Sequence, residues 1–565
     1  MHGPTLPISQ EVHALKHRGE GESFYEAACR QAGTLSDDED HRNTLKNMFL
    51  EQRAMLAGRV QAAVGAARKV TPFNCFVAST IDDSMDGIMN VAKEAAQTMR
   101  MGGGIGFDFS TLRPRGSRII TLDSEASGAV SFMDIFDAVC GTVSSAGNRR
   151  GAMMGVLRVD HPDIEEFIHA KQNKYRLRNF NISVGITDKF MEAVKAGTDF
   201  ELNWNGHRPY RVVDAKSLWD QIMRATWEWA EPGVLFIDRI NEMNNLYYIE
   251  DIAATNPCAE QPLPPYGACL LASLNLVKYV SGGLETGFKF NWNKFSDDIS
   301  PLVRAVDNVI ESAIFPLDEQ KAEAFNKRRI GIGITGLANA GEAVTGEAYG
   351  STKFLTFTTK VLKVLRDEAY KASIEIAKEK GSFPLFDKEK YLESAFIKTL
   401  PKEIQESIAE FGIRNSHLLS IAPTGTISLS ADNVSSGIEP VFRHEYQRTV
   451  LMPNGPIQET VKDYGLENFG VKGVTANVLD IDAHLSVLVT TQKYIDSAVS
   501  KTCNVGADVT WDDFQNLYMT AWEQKCKGCT THRDAGSRAG ILQELSIEEG
   551  EACYYDPDTG TKSCE

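Results

Sequence analysis

The stretch NPCAEQPLPPYGACLLASLNL, residues 256–276, sets an amide, a thiol and a carboxylate at alternate positions: Asn256, Cys258 and Glu260. In an extended segment, residues i, i+2 and i+4 point to one side, so this spacing predicts three side chains aimed at one ligand. Together they form a kit for acid/base and radical chemistry. The same residues also fit a plain loop around a buried cysteine, because free Cys is among the most buried residue types. Prolines at 262, 264 and 265 bar a helix between this cluster and Cys269.

Outward from this stretch, apolar runs at 73–80 and 181–186 alternate with longer amphipathic helices. One helix carries Leu362, Leu365, Ala369, Ala372 and Ile376 at spacings of three and four and stops at Gly381. That alternation predicts an α/β fold, and the lack of any repeat or low-complexity tract favours one large domain. Residues 1–60 read as a short helical cap, with a start at Ser36-Asp37-Asp38-Glu39 and Leu45, Met48, Phe49, Met55 and Leu56 following at helix-like spacing. Near the other end, Thr510 to Asp513 resembles a capping box before Phe514, Leu517, Tyr518, Ala521 and Trp522, and 527–532 predicts a final strand. From about 535 the chain turns acidic and reads as a flexible tail.

The 565 residues are 42% hydrophobic and 24% charged, with a formal charge of −17, which excludes intrinsic disorder. An acidic chain with no basic block is a poor binder of nucleic-acid phosphates, so small-molecule chemistry is the better expectation. No signal-like apolar region and no run near the roughly 18 apolar residues of a membrane span is present, so a cytoplasmic protein is expected. Its ten cysteines (Cys29, Cys75, Cys140, Cys258, Cys269, Cys503, Cys526, Cys529, Cys553 and Cys564) then point to buried, metal-binding or redox roles rather than a disulfide framework.

Several glycine and cysteine motifs carry less. Gly331-Ile-Gly333-Ile-Thr-Gly336 matches a dinucleotide fingerprint, but it follows Asn326-Lys-Arg-Arg329 and is read as a tight turn or helix start. MGGGIGFDFS at 101–110 is read as a close-packed turn. Cys526-Lys-Gly-Cys529 lacks the second ligand pair that zinc needs, so no metal ligand is assigned. Asp482-Ala-His484 begins like a cobalamin-ligand pattern, has Val487 where Gly belongs, and is read as a loop. Ile421 to Ser428 offers a Gly-containing loop with hydroxyls at 424, 426 and 428, either a phosphate seat or a plain turn.

Taken together, these segments resemble the ribonucleotide reductases, and among them class II, the adenosylcobalamin-dependent group. The resemblance rests on residues 256–276 and on TPFNCFVAS at 71, MGGGIGFDFSTLRPRGS at 101, NRRGAMMGVLRVDHPDIEEFI at 148, LRNFNISV at 177, IAPTGTISL at 421 and KGCTTHR at 527. It implies a ten-stranded α/β barrel of two five-stranded halves around a central finger loop: helical cap 1–60, catalytic barrel 61–535 and redox tail 536–565. The implied reaction turns a ribonucleotide, as di- or triphosphate, into its 2'-deoxy form.

By the resemblance, Cys258 would become the thiyl radical that takes the 3' hydrogen. Glu260 would act as general base on the 3'-hydroxyl and Asn256 would hold it. Cys75 and Cys269 would deliver the reducing electrons and finish as a disulfide. Thr71, Asn74, Pro423, Thr424, Gly425 and Thr426 would bind substrate, the last three through backbone N–H groups and hydroxyls on the phosphates. Cys553 and Cys564 in the tail would reset the disulfide, with Cys526 or Cys529 as substitutes, and thioredoxin or glutaredoxin would reduce the tail. Class I relatives carry two adjacent tyrosines where this chain has Thr530-Thr531, Tyr554-Tyr555 lies in the tail, and Ser537-Arg-Ala-Gly540 lacks the tyrosine of a glycyl-radical ending. Adenosylcobalamin is the remaining radical source. The early onset of family motifs leaves no room for an ATP cone, so on/off control by ATP and dATP is expected to be absent. Asp83, Ser84 and Arg113 resemble contacts for ATP or deoxynucleotide specificity effectors, with 172–178 as the connecting loop, and a homodimer is the expected assembly.

Overall fold

Ten strands hydrogen-bond into one mixed sheet: β1 (Ala54–Leu56), β2 (Cys75–Val77), β3 (Gly104–Asp108), β4 (Met153–Arg158), β5 (Phe180–Ile186), β6 (Gly233–Phe236), β7 (Ala268–Asn275), β8 (Ile330–Thr335), β9 (Thr502–Val505) and β10 (Gly528–Arg533). The computed structural model describes residues 3–143, 152–173, 175–204, 206, 209–452, 455–506, 508–533, 554–556 and 561–563. Strands β2 to β6 lie side by side and parallel. β7 and β8 form a second parallel pair, β9 and β10 a third. Both pairs join the first five through antiparallel contacts, β7 with β2 and β10 with β6. Single bridges from Ile332 to Leu419 and from Ile421 to Val499 carry the pairing onward from β8 towards β9.

Parallel strands covered on both faces need near-continuous apolar sequence, and β7 and β8 are buried along their whole length. Helix Trp292–Ser312 covers both, and helix Thr352–Lys380 packs on it, burying Leu362, Leu365, Ala369, Ala372 and Ile376, starting on the Ser351 hydroxyl and ending at Gly381 as its periodicity predicts. Helix Trp511–Glu523 opens with the expected reciprocal capping box between Thr510 and Asp513, and the strand expected at 527–532 is β10, the last of the ten-stranded sheet though not of the chain.

At the N-terminal end, helices Pro7–His17, Phe24–Leu35 and Glu39–Leu50 precede the sheet, the last capped by Asp38. Met55 and Leu56, expected on a helix, lie instead in β1, antiparallel to β7. A three-residue strand is too short for periodicity to separate from the helix before it. The boundary near 60 therefore falls after the first sheet strand; the second and third helices share one hydrophobic core with the sheet, while Ile8 and Val12 of the first pack with Leu429 and Val461.

Three glycine- or histidine-centred readings are corrected. Residues 331–335 are buried strand β8, not a turn; only Gly336, at φ +77, caps a helix, Leu337–Thr345. Glycine is needed at 333 for close approach, since a Cβ there would stand 2.4 Å from the Ser420 carbonyl oxygen. Residues 104–108 are likewise strand β3, and only the preceding glycines turn. Asp482 and His484 sit on helix Ile481–Gln492 with Asp480 as its cap, so this segment is no loop. In the tail, Tyr554–Asp556 pairs with Thr561–Ser563, while Cys553 and Cys564 lie outside the described residues. Among the described residues no helix is long and apolar enough to cross a membrane.

Candidate active site

A short hairpin, Ala254–Thr255 paired with Pro262–Leu263, carries residues 256–261 at its tip. The tip is a turn and not the extended segment expected. Ala259 N–H donates to Asn256 O at 3.1 Å, Asn256 N–H donates to Gln261 O at 3.1 Å, and Ala259 stands at φ +65. The turn, and not strand alternation, is what gathers the three functional groups. Strand β3 makes room for it: a Cβ on Gly106 would lie 1.8 Å from Thr255 O, and one on Gly104 would lie 3.0 Å from Pro257 Cγ. Asn181 Nδ2 on β5 donates to Pro257 O at 3.0 Å. On the other side, Ala498 N–H and Ser420 Oγ both donate to Glu260 O at 3.0 Å. The hairpin tip is thus pinned from β5 and from the bridged segments at 420 and 498.

At this tip Cys258 is exposed, while Asn256 and Glu260 are only 1% and 2% exposed. The alternative of a buried loop cysteine at 258 is overturned. Cys75 on β2 and Cys269 on β7 are direct register partners, both buried. Opposed residues of an antiparallel pair hold their Cβ atoms about 4.5–5.5 Å apart, close to the span of a disulfide. Asn256 Nδ2 donates to Cys75 Sγ at 3.2 Å, and the Cys75 thiol donates to Glu260 Oε1 at 3.8 Å. Sequence-distant Cys75 therefore meets the Asn256–Glu260 pair directly, with Cys269 opposite it across the strand pair.

Burial is the largest influence on every titrating group here. It lifts the Glu260 carboxyl to about 7, against opposing hydrogen bonds from Asn256 and Cys75. It also pushes both thiols up, reinforced by the Glu260 charge; at Cys269 the Arg329 guanidinium pulls the other way. Glu260 Oε2, Asn74 Oδ1 and both amide atoms of Gln261 are buried without a hydrogen-bond partner. Each such group costs about 1–3 kcal/mol when left unsatisfied. Their grouping on the hairpin tip and beside Cys75 marks a place for a polar ligand.

Thr71 is buried and its hydroxyl accepts from Phe73 N–H at 3.3 Å. Pro423 and Thr424 lead into a single helical turn, Gly425–Leu429. The Thr424 hydroxyl accepts from Gly437 N–H at 2.7 Å and bonds Thr335 Oγ1 at 2.9 Å, where the Thr335 hydroxyl already donates to Ser435 O. That hydroxyl is spent inside the protein, which leaves backbone N–H groups to carry an anion at this position. Asp83 and Arg113 form an ion pair at 2.7 Å, and Ser84 is the N-cap of helix Met85–Arg100. Cys526 and Cys529 are buried core thiols, and Cys529 hydrogen-bonds Cys503, so neither suits a mobile carrier. Among the described residues no group of three or more His, Cys, Asp or Glu is placed to hold a metal ion. Thr531 is buried on β10 with its hydroxyl 2.8 Å from Tyr518 Oη.

Sequence reasoning missed Asn181, Gln261 and Ser420. The first two lie within quoted motifs, yet only the folded hairpin shows what they hold. The spacing of Gly104 and Gly106 was the available signal for an inserted loop.

The family model for the ribonucleotide reductase barrel domain matches residues 73–532. Among curated proteins, the vitamin B12-dependent ribonucleoside-diphosphate reductase of Thermoplasma acidophilum is 36% identical over 84% of this chain and 63% of its own length. That of Mycobacterium tuberculosis is 35% identical over 86% of this chain and 69% of its own length. The vitamin B12-dependent ribonucleotide reductase of Streptomyces coelicolor is 27% identical over 93% of this chain and 62% of its own length. The chain thus spans roughly two thirds of the length of these relatives.

Proposed function

The chain belongs to the ribonucleotide reductase family, and from that premise we propose that it reduces ribonucleotides to 2'-deoxyribonucleotides by a thiyl-radical mechanism of the adenosylcobalamin-dependent kind. One observation carries the reading: an exposed Cys258 on a pinned turn, with Asn256, Glu260 and the Cys75–Cys269 pair gathered beside it. We read β2 to β6 as one five-stranded parallel half of a barrel and β7, β8, the bridged segment at 419–421, β9 and β10 as the other, with β1 added antiparallel on β7, in keeping with the matched domain.

Cys258, as thiyl, takes the ribose 3' hydrogen. Glu260 accepts the 3'-hydroxyl proton while Asn256 orients that hydroxyl. The 2'-hydroxyl leaves as water with a proton from the buried thiol pair, and Cys75 and Cys269 supply two electrons and end as a disulfide. Cys258 then returns its hydrogen to the 3' carbon. The sum is ribonucleotide plus two thiols giving deoxynucleotide, water and a disulfide. Thr71, Asn74 and the backbone at Pro423–Thr426 hold the substrate, with the unpartnered Asn74 Oδ1 supporting a contact there. Adenosylcobalamin, when bound, supplies the radical that first oxidises Cys258. The vitamin B12 dependence of the relatives supports this source, the exposed Cys258 is open to an external radical, and Thr530-Thr531 stand where the resemblance places the class I tyrosines.

Cys553 and Cys564, served by thioredoxin or glutaredoxin, reset the disulfide. Asp83, Ser84 and Arg113 read a specificity nucleotide in a homodimer. The test is reduction of CDP and CTP by the purified chain alone with dithiothreitol, with and without adenosylcobalamin in the dark. Deoxycytidine product that needs the cofactor and is lost in Cys258→Ala is expected, and the better substrate fixes the phosphate level. Product only after adding a second, metal-containing protein would overturn the cobalamin assignment.

A further inference from the structure

Strands β7 and β8 run parallel with Leu270 opposite Ile330 as their first register pair. One residue earlier stand Cys269, within β7, and Arg329, which immediately precedes β8. Cys75 and Cys269 are register partners and share a sheet face, and continuing the β7–β8 register by one residue sets Arg329 next to Cys269, completing a row. Gly331, on the same face as Arg329, confirms which face this is: a Cβ there would lie 2.8 Å from Gln261 Nε2 on the hairpin tip. The row faces the active site. Arg329 is 4% exposed and is held by ion pairs to Glu250 and to Glu323, the latter at 3.1 Å, so its guanidinium is fixed in place.

The two ends of this row differ in charge. Cys75 touches the Glu260 carboxyl at 3.8 Å, which disfavours a thiolate there. Cys269 has Arg329 beside it, and Arg329 is the group that favours its thiolate against Glu260 and Asp496. Cys75 is also the less enclosed of the two, 5% exposed against 0%. We propose that Arg329 is a positioning residue that gives the Cys75–Cys269 disulfide a fixed polarity, with Cys75 as the sulfur attacked by the incoming reductant and Cys269 as the leaving thiolate. This deepens the reading of Cys75 and Cys269 as the redox pair and rests on it.

The exchange balances as follows. A thiolate of the reducing dithiol attacks Cys75 Sγ, the Cys75–Cys269 bond breaks, and its electron pair stays on Cys269 Sγ beside Arg329. The second thiol of the reductant, as thiolate, then attacks the reductant's own first sulfur and closes a disulfide on the reductant. Cys75 Sγ leaves with the electron pair, and the two protons released by the reductant's thiols end on the protein, one on Cys75 by way of the Glu260 contact and one on Cys269.

The test uses full-length protein oxidised by one turnover, then treated briefly with a monothiol, glutathione, which has no second thiol for intramolecular closure, and quenched in acid before a second glutathione resolves the adduct. Peptide mass spectrometry locates the adduct. Glutathione on Cys75 with Cys269 alkylatable is expected, and Arg329→Met should slow adduct formation at least tenfold while Arg329→Lys recovers most of the rate. Glutathione mainly on Cys269 in the unaltered chain would overturn the proposal, and that arm needs no variant to fold. An unchanged rate in a folded Arg329→Met would overturn the role of Arg329. Absence of any Cys75–Cys269 disulfide before glutathione is added would instead remove the redox-pair reading itself.

Discussion

Glu260 carries the most exposed consequence of the site. Burial holds its carboxyl up at about 7, against 4.5 for an ordinary glutamate. As pH rises, the unfolded chain loses this proton before the folded one does. Stability from the group is therefore fully present below about 4.5 and is lost as pH climbs through about 7. Glu260→Gln is predicted to gain about 3 kcal/mol over the unaltered chain at pH 8, and nothing at pH 4, in paired urea melts. The same substitution should abolish turnover, because an amide cannot take the 3'-hydroxyl proton. In the unaltered chain kcat/KM should rise with pH and level off above about 7; a flat profile from pH 5 to 8 would deny Glu260 the role of base.

Whole elements are arranged around one insertion, the hairpin at 254–263. Gly106→Ala would drive a Cβ into Thr255 O, backbone against backbone, where no flexible side chain can yield. The expected result is a loss of about 1–3 kcal/mol in stability and of nearly all product formation. Thr510→Ala is the contrasting case: it removes a capping box at helix Trp511–Glu523 and should cost about 1 kcal/mol with kcat unchanged. An equal loss of activity in both variants would show that the hairpin seat has no special standing. Such elements differ in how far sequence exposes them. The 352–380 helix and the Thr510 cap were legible because periodicity and capping are local. The chemistry of Asn256, Cys258 and Glu260 was legible from residue type, but their turn was not, since nothing in the sequence marks Ala259 for a left-handed backbone. Strand β8 read as a turn because the space its glycines leave is filled from Ser420, far along the chain.

At the scale of the whole molecule, ten strands bring Cys75, Cys258 and Cys269 to one place from segments up to 194 residues apart. The proposed specificity control belongs to this scale too. Adding dATP, dGTP or dTTP should change the ratio of cytidine to adenosine nucleotide reduction, and Arg113→Ala, which breaks the ion pair to Asp83, should flatten that response while leaving basal turnover. An unaltered response in Arg113→Ala would remove these residues from the effector site. Central to the account is that this site spends its own two buried thiols on each ribonucleotide. The most direct measurement is a single turnover of pre-reduced protein with substrate and adenosylcobalamin and no external thiol, quenched in acid and alkylated. One Cys75–Cys269 disulfide per deoxynucleotide formed is the predicted result; deoxynucleotide formed while both cysteines remain alkylatable would contradict it.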